Sequence, residues 1–172
     1  HPFWPVDKDE VVKLKDAINA AESPLLYVGG GAVSSAAAGV IAELAHRANI
    51  PVCSTLMGIG VFPESDPLAL RMVGMHGSVA ANYALDHCDL RLAACARFDD
   101  RVTGKISSFA PKAVIAHIDI DLSTIGKSIR TDLAFHGDVK EVLMAVLPGV
   151  RPAKHEPWIE RVNRWKQRFP FS

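Results

Sequence analysis

Two short segments carry the residue types that bind phosphate groups. Gly29-Gly30-Gly31 directly follows an apolar run, and the segment R-F-D-D-R at 97–101 sets two arginines around two aspartates. Glycines at a helix start expose backbone N–H groups to a phosphate, and an arginine can bind a diphosphate through two charge-assisted hydrogen bonds. A tight turn with positive φ would equally require the glycines, and surface ion pairs would equally account for the charges. Spacing alone leaves these alternatives open.

A third segment alternates polar and apolar residues. His117, Asp119 and Asp121 are separated by Ile118 and Ile120, so on an extended strand all three polar side chains project to one side. Such a set could bind a metal, place a carboxylate against the ribose of a nucleotide, or cap the next turn. The pattern leaves these three interpretations open.

Two further candidate functional residues each have an equally good structural interpretation. His76 lies in a loop between Met75 and Gly77, where it either contacts a ligand or hydrogen-bonds to backbone, and Asp138 precedes a predicted helix, where N-capping alone would account for it. The sequence contains no G-x-S-x-G elbow, and no Cys/His pair in it suggests a nucleophile. We therefore assign no catalytic residue and no metal ligand.

The elements that must position these residues follow from periodicity. Helical spacing predicts helices over 7–21, 33–48, 78–87, 139–147 and 158–169, and short apolar runs predict strands over 25–28, 50–54, 90–94, 112–120 and 133–136. The segment 55–70, rich in Gly and Pro, is predicted to be a loop or a short irregular helix. Apolar rather than alternating strands favour an α/β fold with a doubly wound, mostly parallel sheet and helices on both faces, which is a Rossmann-like architecture.

Length, charge balance and composition argue against several classes of function. With 172 residues the chain fits one domain, and 19 basic residues balance 19 acidic ones, so neither nucleic acid nor an anionic membrane is an expected partner. No apolar run reaches the roughly 20 residues that span a bilayer. The three cysteines are an odd number without close pairing, which predicts free, mostly buried thiols and a cytoplasmic location.

Taken in order, the strand-end segments resemble one family. Y-V-G-G-G, S-T-L-M-G, G-M-H-G, R-F-D-D-R-V-T-G-K and H-I-D-I-D are similar to segments of the catalytic subunit of acetolactate synthase (acetohydroxyacid synthase), a thiamine diphosphate enzyme. The likeness extends from about Pro24 to Val139 and corresponds to the central domain of that enzyme. It implies a central FAD-binding domain over 1–150, followed over 151–172 by a linker and an exit helix towards a missing C-terminal domain.

The resemblance also implies a function. Enzymes of this family condense pyruvate with a 2-keto acid in branched-chain amino acid biosynthesis, and their flavin takes no net redox part in the reaction. Thiamine diphosphate and magnesium belong to the N- and C-terminal domains, which are absent here, so we expect the chain alone to be inactive. The full enzyme is expected to be a homo-oligomer, and a regulatory subunit is a further potential partner.

Carried across motif by motif, the resemblance implies three groups of FAD-binding residues. The diphosphate and sugar portions would be bound by Gly29, Gly30, Gly31, Arg97, Asp99 and Arg101. The ribityl and isoalloxazine portions would be lined by Thr55, Leu56, Met57, Gly74, Met75 and His76. The adenosine would lie near Asp119, Ile120, Gly137 and Asp138.

Two positions depart from the family pattern. Arg91 interrupts an apolar strand, which indicates either a strand near the sheet edge or divergence, and Cys95 replaces a glycine. A left-handed backbone at Cys95 would be strained and would weaken FAD binding, whereas extended backbone would make Cys95 an ordinary packing residue. The alternative function is therefore a structural or oligomerising domain that no longer binds flavin, and a third is an enzyme acting alone, such as a NAD-dependent one.

We expect Arg101→Ala to weaken FAD binding more than Lys105→Ala. A guanidinium can make two charge-assisted hydrogen bonds to a diphosphate, each contributing roughly 1.5–3 kcal/mol, whereas Lys105 is predicted to be solvated at a helix start. Titration followed by flavin fluorescence compares the two variants. Equal dissociation constants would contradict the placement of Arg101 on the diphosphate.

Overall fold

The computed structural model describes residues 6–34, 36–96, 113–120 and 131–171. Within them the chain forms six strands: β1 Pro24–Val28, β2 Val52–Ser54, β3 Ala69–Met72, β4 Leu90–Ala94, β5 Val114–Asp119 and β6 Leu133–His136. The helices are α1 Lys8–Ala20, α2 Gly31–Ser34, α3 Ala38–Ala48, α4 Val79–His87, α5 Val139–Val146 and α6 Glu156–Arg168, with 3₁₀ turns at Leu56–Gly58 and Leu147–Gly149. Three predicted site residues, Arg97, Asp99 and Arg101, lie outside the described residues, as does Asp121.

The strands form one parallel sheet in the order β3-β2-β1-β4-β5-β6. The chain first builds outwards from β1 to β3 and then crosses back to place β4 on the other side of β1. The strand order therefore reverses between β1 and β4, and it is at such a reversal that open parallel sheets form a crevice. This topology confirms the predicted doubly wound α/β fold.

The sheet is buried on both faces. In β1, Leu26 and Val28 face a core layer shared with α1, α3 and α5, whereas Leu25 and Tyr27 face a second layer shared with α4 and α6. Alternate residues of a strand project to opposite faces, so a strand that is covered on both sides is apolar at every position. No helix in the described part of the chain is long and apolar enough to cross a bilayer.

Side-chain caps fix the starts of three helices where the sequence predicts them. The carboxylate of Asp7 accepts hydrogen bonds from the N–H groups two and three residues further on, at 2.8 and 3.3 Å. Asp138 does the same for α5, at 2.8 and 3.2 Å. The hydroxyl of Ser78 accepts from the third following N–H of α4 at 3.0 Å. Each cap satisfies amide groups that have no partner inside the helix.

One predicted helix is interrupted, and one strand was not predicted. The single helix over 33–48 is interrupted, because Ala36 adopts a left-handed conformation with φ of 55° between α2 and α3. The apolar period continues through this break, so periodicity could not reveal it. The segment 55–70 is a loop with a short 3₁₀ helix at Leu56–Gly58, as predicted, up to residue 68. Its last two residues begin β3, a strand of four residues that the sequence did not predict and in which Arg71 has φ of 69°. Such a short and irregular edge strand leaves little alternation to detect.

Arg91 lies at the centre of the sheet, so the alternative of a strand near the edge is wrong. Its strand β4 is flanked by β1 and β5, and the side chain is fully buried on the face covered by α4. The guanidinium donates to the carbonyl of Leu85 in the last turn of α4, next to Cys88. Burial lowers the pKa of Arg91 to about 10, so the group stays charged at neutral pH and favours the negative end of the helix dipole.

The glycine turn after β1 packs directly on the end of β4. A β-carbon at Gly29 would lie 1.9 Å from the carbonyl oxygen of Cys95, and backbone atoms cannot yield as a flexible side chain can. Gly39, in the first turn of α3, has no heavy atom within 4 Å of its corresponding β-carbon position. The first glycine is thus required by the contact between two strand ends, and the second is not.

We expect Gly29→Ala to lower the free energy of unfolding by about 1–3 kcal/mol or more, because the added methyl group overlaps backbone atoms. Gly39→Ala is the matched control and should be neutral or stabilising by up to about 1 kcal/mol, since alanine favours helix. Urea denaturation measures both free energies. Equal stabilities of the two variants would contradict the close contact of β1 with β4.

Candidate functional site

The carboxyl ends of the strands form one edge, and hydrogen bonds join the loops along it. The amide of Gly29 donates to the last carbonyl of β4 at 2.9 Å, and the amide of Thr55 donates to the last carbonyl of β1 at 2.9 Å. The amide of Gly137 donates to the last carbonyl of β5 at 3.0 Å. The predicted site residues that are described, which follow β1, β2, β3, β5 and β6, therefore lie along this edge. Ligands of open parallel sheets bind there, at the reversal of strand order.

The glycine turn leaves two amides available. Gly29 uses its N–H in the sheet, whereas those of Gly30 and Gly31 donate to no acceptor in the described part of the chain. These glycines do not have positive φ, so the alternative of a left-handed turn is wrong. Close approach requires them instead, since a β-carbon at Gly30 would lie 2.9 Å from Cβ of Met57. Two adjacent free amides suit an anion such as a phosphate.

The loops after β2 and β3 expose large apolar side chains. Leu56 is 69%, Met57 75% and Met75 90% exposed. Val33 in α2, Ile59 after β2 and Ile120 after β5 are exposed as well. Exposed apolar side chains in neighbouring loops are candidates for contact with a ligand or another protein surface.

His76 and Gly74 share the loop after β3. The His76 ring is exposed and hydrogen-bonds to no backbone group in the described part of the chain, so the alternative of a backbone hydrogen bond is wrong, and contact with a ligand stays a prediction. Gly74 has φ of 114°, a conformation that other residues rarely adopt. Asn82 of α4 holds this loop, because its side-chain amide both accepts from the Gly74 amide and donates to the Gly74 carbonyl, each at 3.0 Å. Sequence reasoning missed Asn82, which no local pattern distinguishes from a surface residue of the helix.

Two carboxylates of the candidate set have different roles. Asp138 caps α5 through one oxygen, as described above, so its structural interpretation is confirmed. Asp119 ends β5 with only 8% of its surface exposed, and its Oδ2 lies 3.6 Å from Nε2 of His117. Among the described residues no group of three His, Cys, Asp or Glu side chains is placed to hold a metal ion.

Cys95 adopts the left-handed conformation that a glycine would favour. Its φ is 54°, so the backbone is left-handed and the alternative of an extended backbone at this position is wrong. The side chain packs against the glycine turn, since a β-carbon at Gly31 would lie 2.7 Å from its Sγ. Burial and the neighbouring carboxylates of Asp119 and Asp138 raise the pKa of the thiol to about 12. The thiol is therefore protonated at neutral pH, and as predicted all three cysteines are free.

Comparison with known proteins assigns the chain to a protein family. Residues 11–146 match the family described as "Thiamine pyrophosphate enzyme, central domain". The match covers most of the chain, and the chain belongs to this family.

Particular relatives are acetolactate synthase large subunits. The chain is 47% identical to that of Parasynechococcus marenigrum over 99% of its own length, and 44% identical to that of Cyanidium caldarium, also over 99%. It is 47% identical over 92% of its length to a probable acetolactate synthase large subunit of Methanocaldococcus jannaschii. It covers only 28%, 30% and 27% of these three proteins, so it spans less than a third of their length.

We expect alkylation of Cys95 by iodoacetamide at pH 8 to be at least about a hundredfold slower than that of an unperturbed thiol, whose pKa is about 8.5, because only the thiolate reacts. Asp119→Asn should increase the rate, since removing a neighbouring negative charge lowers the pKa of the thiol. Mass spectrometry of the labelled peptide follows the reaction, and Cys95→Ser identifies the modified site. Reaction at the rate of an unfolded peptide would show that this thiol is neither buried nor close to the carboxylates.

Proposed function

We propose that this chain is the FAD-binding central domain of an acetolactate synthase large subunit. One observation carries the proposal: the carboxyl edge of the sheet brings together free glycine amides, a buried carboxylate and exposed apolar side chains. These are the groups that bind the diphosphate, the ribose and the flat ring of a flavin dinucleotide, respectively. The similarity to large subunits of acetolactate synthase supports this ligand over other dinucleotides.

The diphosphate would lie at the glycine turn. Gly30 and Gly31 supply two N–H donors, and Gly29 supplies the close contact between strand ends that brings the turn to the crevice. α2 contributes little through its dipole, because it has only four residues. The resemblance adds the guanidinium groups of Arg97 and Arg101, with Asp99 between them.

The flavin ring would lie on the apolar part of the edge. Leu56, Met57 and Met75 present polarisable or aliphatic side chains to solvent, and covering them with a planar ring removes apolar surface from water. Thr55, Gly74 and His76 belong to the same two loops and would line the ribityl and ring portions. Methionines adapt their shape to a ring without demanding hydrogen bonds.

The adenosine would lie at the ends of β5 and β6. Asp119 offers a carboxylate that can accept hydrogen bonds from ribose hydroxyls, and Ile120, 41% exposed, offers apolar surface beside it. Gly137 adds no side chain here, and Asp138 is partly engaged as the cap of α5. These residues thus lie at the end of the edge opposite the loops after β2 and β3.

In the proposed function, this chain carries out no covalent step of the reaction. In the family, bound FAD supplies a flat ring with no net redox change, and the other two domains bind thiamine diphosphate and magnesium. Residues 1–150 would form the flavin domain, and 151–172 the connection to the C-terminal domain. The full protein would be a cytoplasmic transferase and homo-oligomer that condenses pyruvate with a 2-keto acid in branched-chain amino acid biosynthesis, with a regulatory subunit as a further partner. The chain alone would form no acetolactate.

The alternative of a structural or oligomerising domain without flavin has one specific observation in its favour. The side chain of Cys95 stands at the strand end next to the glycine turn, in a conformation that suits glycine. A thiol there reduces the space beside the amides proposed for the diphosphate. This alternative differs from the proposal in flavin binding alone.

Isothermal titration of the purified chain with FAD separates the two. The proposal expects saturable binding of one FAD per chain, with a yellow complex and a flavin absorption band. Asp119→Asn should weaken the binding, whereas Asp16→Asn, which alters an exposed carboxylate of α1, should not. Absence of binding up to about 1 mM FAD would contradict the proposal and support the structural alternative.

We expect the wild-type chain to purify with little FAD and Cys95→Gly to bind it about tenfold to a hundredfold more tightly. Removal of the thiol opens the space beside Gly31, and removal of the β-carbon relieves the left-handed conformation. Relief of that strain should also raise the free energy of unfolding by about 1–2 kcal/mol.

Cys95→Ala distinguishes these two causes, because it removes the thiol but keeps the β-carbon. A gain in affinity shared by Ala and Gly would assign the effect to the thiol, and a gain limited to Gly would assign it to the backbone. If the wild-type chain carries stoichiometric FAD and Cys95→Gly leaves the dissociation constant unchanged, Cys95 is only a packing residue.

A further inference from the structure

One short loop carries two of the residues proposed to line the flavin. Residues 73–77 connect β3 to α4, and we call them the β3 loop. Met75 at its tip is 90% exposed, and His76 beside it is exposed as well. Backbone hydrogen bonds at either end of the loop reach the last carbonyls of β2 and β3, at 3.0 and 2.9 Å. Met75 and His76 themselves hydrogen-bond to no other described residue, so the tip needs a further attachment to keep its place.

Asn82, in the first turn of α4, supplies that attachment. Its Oδ1 accepts from the amide of Gly74, and its Nδ2 donates to the carbonyl of the same residue, both at 3.0 Å. Nδ2 also donates to the carbonyl of Ser78 at 2.9 Å. This set fixes the orientation of the side chain, because turning the amide over would place its oxygen against two carbonyls. Asn82 thus pairs with Gly74 much as a neighbouring strand would.

The turn that Asn82 holds has a conformation that suits only glycine. Gly74 has φ of 114°, and no heavy atom lies within 4 Å of the position of its β-carbon, so the conformation and not a lack of space requires glycine. The amide of Gly77 donates to the Gly74 carbonyl at 3.0 Å and closes the turn. Glycine has more backbone freedom than any other residue, and a turn built on it therefore depends on outside contacts to stay in one place.

We infer that Asn82 is a positioning residue that holds Met75 and His76 where the flavin ring binds. The inference rests on the proposed function, which sets these two side chains against the ring. Asn82 need not touch the ligand, because both of its donor hydrogens are used within the fold. A loop that is already ordered loses little conformational entropy when a ligand binds, so removal of the attachment should weaken binding.

The effect should be confined to the flavin half of the dinucleotide. The β3 loop follows the strand at one end of the sheet, whereas the residues proposed for the adenosine follow β5 and β6 at the other end. A ligand that lacks the flavin should therefore bind equally well with and without the attachment.

Asn19 offers a matched control. Its side-chain amide makes the same kind of contact, since Nδ2 donates to the carbonyl of Gly149 at 3.0 Å and Oδ1 accepts from the amide of Arg151 at 2.9 Å. Because α1 ends just before β1 begins, Asn19 lies at the amino edge of the sheet, opposite the binding edge. Alanine at either position removes a comparable attachment, and only one of the two attachments belongs to the proposed site.

The test titrates FAD and ADP into the wild-type chain and its variants by calorimetry. ADP keeps the adenosine and the diphosphate and lacks the flavin. We expect Asn82→Ala to weaken FAD binding about tenfold and to change ADP affinity less than about twofold, whereas Asn19→Ala changes neither. When Met75 and His76 are both replaced by alanine, Asn82→Ala should weaken FAD binding less than about twofold, because its effect acts through those two side chains.

Three results would assign Asn82 a purely structural role and overturn the inference with the proposed function intact. They are equal losses for FAD and ADP, an equal loss of FAD affinity in Asn19→Ala, and an undiminished effect of Asn82→Ala in the absence of both loop side chains. Wild-type FAD affinity in Asn82→Ala would overturn it as well. If the wild-type chain binds no FAD, the proposed function fails, and the inference fails with it.

Should Asn82→Ala not fold, Asn82→Asp takes its place in the same titrations. Aspartate keeps the size and the acceptor for the Gly74 amide but loses both donor hydrogens. The same contrast between FAD and ADP is expected, and equal losses for the two ligands would again overturn the inference.

Discussion

The approach of β1 to β4 is the constraint on which the binding edge depends. The backbone after β1 lies against the carbonyl of Cys95 so closely that no β-carbon fits at Gly29. This contact brings the glycine turn and the end of β4 together at the one place where the strand order reverses. Loosening it would move the free amides of Gly30 and Gly31 away from the other strand ends.

The sheet that carries this edge contains more ionisable groups than a sheet buried on both faces usually does. Arg91 and His117 project to the same face; the Arg91 guanidinium donates to the carbonyl of Leu85 in the last turn of α4, and Nε2 of His117 lies 3.6 Å from Oδ2 of Asp119. Burial of a charged group is tolerated where polar partners compensate for lost hydration. Arg91 thereby serves the end of a neighbouring helix rather than the core itself.

Much of the fold follows from local pattern. β1 is a continuous apolar run and β4, β5 and β6 are mostly apolar, and the caps at Asp7, Ser78 and Asp138 stand where the sequence predicts helix starts. The break at Ala36 and the strand β3 could not be predicted in this way. The first requires a single left-handed residue inside an unbroken apolar period, and the second is a short edge strand with an irregular Arg71.

The features of the site also divide into those that the sequence predicts and those that only the folded chain shows. That the strand-end residues share one edge follows from the parallel topology, and the topology follows from the apolar strands. The reason why glycines are required does not follow from the sequence, because close approach between segments distant in sequence, such as Gly30 and Met57, has no local signature. The pairing of Asn82 with the Gly74 loop and of His117 with Asp119 likewise depends on distances that only the folded chain defines.

The most direct test of the account is amide hydrogen exchange of the chain with and without saturating FAD. The central claim is that the dinucleotide binds along the carboxyl edge, with its diphosphate at the glycine turn. The account predicts slower exchange on addition of FAD at the amides of Gly30 and Gly31, which have no acceptor in the described chain, and in the loop that contains Leu56 and Met57. Binding of FAD that leaves exchange at these amides unchanged, or that protects a different edge of the sheet, would contradict it.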